Sequence, residues 1–189
     1  MIYEKLLAGL RDRRAKPETR IDMKTVPSPP LYDVATEMAV RAAERDLEVE
    51  LPALLSRIYR EVGNGGFGPG AGQIGLANGY LDADGRTLPE KYRQLRSEGW
   101  RERLLPLWDW GDAAWSCVDA SSVNADIVTV GELGFVRTEF SLETWLSAWL
   151  HGIDLHGEIF EIGDATIVNP FTRKPMTVKR RVRAMGTPI

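Results

Sequence analysis

Residues 51–72 read LPALLSRIYREVGNGGFGPGAG. Leu51-Pro52 opens a short helix, because a proline near the first helical position lacks an N–H that would have no partner there anyway. Leu51, Leu54, Leu55, Ile58, Tyr59 and Val62 recur at helical spacing and form one apolar stripe. Gly63 is the expected stop, since glycine adopts left-handed backbone angles without steric penalty. Asn64-Gly65-Gly66-Phe67-Gly68 then predicts a turn into extended chain. Phe67 is expected to plug the core, with Ile74 and Leu76 on a short strand. The glycines follow a helix instead of preceding one and lack a Gly-Lys-Ser/Thr sequence, so they read as a structural turn and not as a phosphate cradle.

Upstream, residues 1–16 predict an amphipathic helix with Leu6, Leu7 and Leu10 on one side. Pro17 to Pro30 reads as a linker, because TVPSPP suits neither helix nor sheet. From Leu31 the pattern is helical again, with Val34, Met38 and Ala42 on one face and an end near Asp46. Downstream, ANGYLDADGRT is a loop and Leu88–Glu98 a helix with Tyr92 and Leu95 inward. Strands are expected at Ala114–Val118, Ile127–Val130 and Phe135–Phe140. Ser141 caps a last helix whose buried stripe is Leu142, Trp145, Leu146, Trp149 and Leu150, and Gly152 ends it. Helices on both sides of a run of strands make an α+β domain. The expected division is an extension and linker over 1–30, a body over 31–160 and a basic tail or hairpin over 161–189.

The net charge of −3 hides a strong asymmetry. Residues 46–164 carry 20 acidic and 9 basic side chains, whereas residues 165–189 carry 6 basic and none acidic. An acidic body repels nucleic acid and attracts basic proteins. Ile167-Val168 and Met176-Thr177-Val178 flank Asn169-Pro170, which allows a hairpin that lays the basic tail over the acidic body. No apolar run approaches the roughly 20 residues that cross a bilayer. MIYEKLLAGLRDRRAK has no long apolar run and no small-residue cleavage site, and Cys117 is the only cysteine. Both features predict a cytoplasmic protein.

Asp82, Asp84 and Gly85 fail as a calcium loop, since the positions that should hold oxygen ligands are Tyr80 and Lys91. His151, Asp154 and His156 straddle a helix-ending glycine and do not share a helical face, so no metal is expected there. Cys117, beside Ser116 and Asp119, reads as an inert core thiol. Among the tryptophans, the i, i+4 pair Trp145 and Trp149 reads as core, whereas Trp108 or Trp110, if exposed, would be partner anchors.

Several segments in order resemble the SUKH superfamily, the domain of the yeast Smi/Knr cell-wall regulators and many bacterial homologues. These are Leu51-Pro52 with its helix, the Asn64–Gly70 turn, Leu105-Pro106-Leu107-Trp108-Asp109-Trp110-Gly111 with Trp115–Asp119, and Ser141–Leu146 with Trp149-Leu150 and Gly152. The resemblance spans about Tyr32 to Leu155. It implies a central, largely antiparallel (mixed) sheet flanked by helices. It also implies a non-enzymatic immunity protein that occludes a cognate toxin, without cofactor, metal, nucleic acid or membrane. In this reading Leu51, Pro52, Asn64, Gly65, Gly66, Phe67, Gly68, Trp110, Gly111 and Trp145 are scaffold. Local charge picks out Asp82, Asp84, Asp109, Asp112, Asp126 and Glu132 as contacts for a basic toxin. An intracellular regulatory scaffold and an enzyme using the glycine-rich cleft are the alternatives, and the oligomeric state is left open.

Overall fold

The computed structural model describes residues 3–189. The first two residues of the expected N-terminal helix therefore lie outside the described part. Among the described residues six α-helices accompany two antiparallel sheets, so the fold is α+β as expected. The main sheet has five strands, β1 (Leu104–Asp109), β2 (Trp115–Asp119), β3 (Asp126–Gly131), β4 (Gly134–Ser141) and β7 (Thr187–Pro188), in that spatial order. A second, two-stranded sheet pairs β5 (Phe160–Val168) with β6 (Pro175–Ala184), and Ile167 faces Met176 across it. The expected hairpin is thus present, turning at residues 169–174.

Both faces of the main sheet are covered. On one, Lys91 of α4 (Leu88–Ser97) lies over Trp115, and Trp100 meets Phe135 edge-on. On the other, Trp108 packs against Trp145 of α5 (Leu142–Leu150) and Trp110 donates its indole N–H to Ser116 Oγ. Trp108 and Trp110 are therefore buried core residues and not exposed anchors. Capping matches the sequence where polar residues precede an apolar run: Thr144 N–H donates to Ser141 Oγ, and Thr87 and Glu90 form a reciprocal box at the start of α4.

Helix α1 (Glu4–Arg14) sends Leu7 and Leu10 into the common core. The stretch expected as a linker has no helix or ladder strand, yet Arg20 and Ile21 are buried and Ile21 bridges Gly68. Trp149 donates its indole N–H to Asp22, and the Arg13 guanidinium lies 3.9 Å from the Trp149 ring centroid. Helix α2 (Glu37–Leu47) corrects one expectation. Its buried face is Val40, Ala43 and Leu47, whereas Val34 and Met38 are exposed, Met38 by 78%. Two apolar stripes compete on this segment, and the one containing Leu47 wins because it faces the core.

Helix α3 (Ala53–Arg57) continues as a π turn over Ile58–Val62. Gly63 N–H bonds to Ile58 O, which releases Tyr59 O to accept from Ala35 N–H. Gly63 is accordingly extended (φ 172°) and not left-handed, since the widened turn ends the helix. The fully buried Tyr59 donates its hydroxyl to Ile74 O. Ile74 and Leu76 are buried, but the expected short strand is reduced to a bridge between Gln73 and Trp108.

Asn64 organises the glycine loop. Its Nδ2 donates to Ala77 O (2.9 Å) and its Oδ1 accepts from Leu76 N–H (2.7 Å). Its own N–H donates to Asp33 O and its C=O accepts from Tyr80 N–H. Gly65 has φ +85°, and a Cβ there would lie 2.6 Å from Gln73 O. Phe67 fills the core beside this loop, as expected. Asn64→Ala would leave the buried Leu76 N–H without a partner and release the part-buried Ala77 C=O, and is expected to lower stability by about 1–3 kcal/mol, read as a lower urea midpoint.

Candidate functional site

The six acids picked from the sequence fall in three places. Asp82, Asp84 and Asp109 gather around Lys91. Asp112 and Glu132 border a cleft beneath the β5–β6 ribbon. Asp126 stands apart at the start of β3, 3.9 Å from the Arg137 guanidinium, which also pairs with Asp119 at 2.9 Å.

At the first place, the loop from Asp82 to Arg86 is folded around one carboxylate. Asp82 Oδ1 accepts from Asp84 N–H and Arg86 N–H, while Oδ2 lies 3.0 Å from Lys91 Nζ. The Asp82 side chain is only 2% exposed and cannot meet a partner as a surface charge. Lys91 Nζ also pairs with Asp84 at 2.9 Å. Burial alone would lower the lysine pKa, but the bonds to Asp84 and Asp82 outweigh it and hold the ammonium above its usual range. The same bond, with Coulomb attraction, holds Asp84 below the usual carboxylate range. Asp109 accepts from Gly111 N–H at 2.8 Å, yet burial pushes its pKa up.

At the second place, the turn between β1 and β2 takes left-handed angles at Gly111, Asp112 and Ala113. Its carbonyls are captured by Arg181 of β6, whose guanidinium donates to Trp110 O (2.5 Å) and Gly111 O (2.9 Å). The same guanidinium stacks 4.7 Å over Phe160 and donates to His156 Nε2. Asp112 itself points outward, 97% exposed and 3.9 Å from Arg181. One residue along, Arg180 pairs with Glu132 in the β3–β4 turn. The basic ribbon thus lies against acids of the body, as its charge suggested.

Other sequence candidates are dispersed. His151 Nδ1 bonds to Ser147 O, whereas His156 packs between Trp110 and Phe160, where burial lowers its pKa. Cys117 is fully buried and its thiol pKa is pushed up by burial. Among the described residues no three His, Cys, Asp or Glu side chains come together as a metal site would need, and no helix is long and apolar enough to cross a membrane. In comparisons with known proteins, no family model matches the chain and no curated protein matches it.

Sequence reasoning missed Lys91, Arg180, Arg181 and Phe160 as organising residues. The signal for the arginines was the unopposed charge of residues 165–189, but it gave no partners. The lysine was visible only as a calcium-loop mismatch.

Lys91→Met strands the Asp82 carboxylate in a buried place and is expected to destabilise the fold by about 3 kcal/mol. Asp84→Asn, at an exposed position, leaves the unfolding midpoint nearly unchanged. A charge reversal at Asp82 would accordingly report on folding and not on binding. For Asp109, the folded-state pKa lies above the unfolded one, so the folded chain takes up the proton first and the ionised side chain opposes folding at neutral pH. Asp109→Asn is expected to raise the melting temperature at pH 7, and the difference should shrink as pH falls through the carboxylate range.

Proposed function

We propose that this chain is a non-enzymatic protein-binding module of the immunity type, which neutralises a cognate toxin by covering its working surface. The observation that carries the reading is the β5–β6 ribbon. Of 13 exposed large apolar side chains among the described residues, 6 lie between Ile162 and Met185: Ile162, Val168, Phe171, Met176, Val182 and Met185. Phe171, at the turn, is 92% exposed. Arg173, Lys174 and Arg183 alternate with them. Exposed apolar surface interleaved with arginine is the composition of a protein contact. The resemblance to the Smi/Knr-type domain supports the toxin as partner.

The acids keep a narrower role in this reading. Asp82, Asp84, Asp126 and Glu132 are held by the chain's own cations, which leaves Asp112 as the most exposed of the six. The acidic body then guides a basic partner at long range, and the ribbon supplies the contact area.

Co-expression with the toxin-domain product of a neighbouring reading frame tests this. The intact chain is expected to rescue growth and to co-purify with that product. Phe171→Asp with Val168→Asp should weaken the complex at least about tenfold without changing the melting temperature. A chain that neither rescues growth nor co-purifies is not the antidote to that toxin.

A further inference from the structure

The ribbon and the β3–β4 turn enclose a cleft of about 450 Å³, a size typical of small-molecule sites. Phe160, Ile162, Ile167 and Val178 form its apolar wall on the ribbon side. Leu133 contributes from the β3–β4 turn, and Thr129 of β3 also lines the cleft. Ile162 and Leu133 remain partly exposed, so the cleft keeps apolar surface in contact with water. Its charged lining is Lys179, Arg180 and Arg181 against Asp112 and Glu132, an excess of cations.

The cations are not equivalent. Arg181 is engaged by the carbonyls of Trp110 and Gly111 and holds the turn. Lys179 pairs with Asp164 within the ribbon. Among the described residues Arg180 is held only by Glu132, through a pair whose side chains are 46% and 68% exposed. A solvent-exposed pair of this kind contributes little net stability, so another carboxylate can replace Glu132 on the guanidinium at small cost. A guanidinium is also the side chain best shaped to take a carboxylate through two parallel hydrogen bonds.

We propose that this cleft binds a small amphipathic acid. Its apolar body lies against Phe160, Ile162, Ile167 and Val178, and its single carboxylate takes the place of Glu132 on Arg180. The site goes beyond the protein-binding reading, because apart from Ile162, which borders both, it uses the concave side of the ribbon and not its exposed turn. Glu132 acts in it as a built-in competitor, and this gives the proposal a signed consequence. Removing the competing carboxylate tightens binding, and removing the guanidinium weakens it.

The test titrates the isotopically labelled full chain with octanoate and with neutral octanamide, following backbone amide shifts. Octanoate is expected to give saturable shifts confined to residues 129–134, 160–167 and 178–184. Glu132→Gln should tighten octanoate binding about threefold. Arg180→Gln should weaken it at least about tenfold. Neither change should alter the response to octanamide. Both positions are exposed, so unaltered amide spectra of the unliganded variants check that the fold is kept. Absence of saturation up to about 10 mM octanoate, shifts centred elsewhere, or equal effects of the two substitutions would overturn the proposal.

Discussion

The constraint on which this fold depends is the burial of Asn64. An amide side chain removed from water must find partners for its own donor and acceptor, and a loop removed from water must do the same for its backbone. Asn64 solves both problems at once. Its side chain closes on Leu76 and Ala77, while its backbone ties Asp33 to Tyr80. Glycine-rich chain can therefore lie inside the molecule with these backbone groups paired, although the buried Gln73 side-chain amide makes no hydrogen bond, and Phe67 and Ile74 reach the core from it. Gly79 has to be glycine for the same reason, since a Cβ there would run into the Asn64 side chain.

From that loop the architecture spreads in two directions. Toward the N-terminus, Gly68 N–H donates to Arg20 O and Met23 N–H to Gly70 O, so the irregular segment before α2 is fastened along the loop. Toward the sheet, Ile74 N–H donates to Leu107 O and Ala71 N–H to Asp109 O, which aligns β1. The Lys91 cluster then locks the loop after Tyr80 onto α4, and Arg181 locks the β1–β2 turn onto the ribbon. The two cationic anchors sit on different elements and work alike: each gathers oxygen atoms from a loop and ties that loop to a neighbouring element.

Elements with a single buried face were legible in the sequence. Helix α5 announced itself through Ser141 and the Trp145–Trp149 spacing, and the ribbon turn through Asn169-Pro170 between two apolar pairs. The main sheet was less legible in its side-chain orientations. With both faces covered, β2 is buried along its whole length, so alternation carries no information about which tryptophans face solvent. Helix α2 offered two stripes, and only the position of the neighbouring core chose between them. The candidate site was hardest to read because its contacts are remote in sequence. Arg180 meets Glu132 across 48 residues and Arg181 meets Trp110 across 71. Charge asymmetry told that the tail and body attract, but a sum of charges holds no register.

The ribbon is fastened at both feet, and the two fastenings differ in kind. One foot leads through Phe160 into α6 (Leu155–Ile159), with aromatic packing and the Arg181 anchor beside it. The other continues into β7, which pairs with β4 over just two residues, with a further bond from Ile189 N–H to Phe135 O. A pull on the turn at Phe171 therefore loads a strong anchorage and a weak one in parallel. The short strand is the lighter of the two, and Arg181 on β6, with Met185 N–H bonded to Ile159 O, keeps the ribbon seated on the body when that strand lets go.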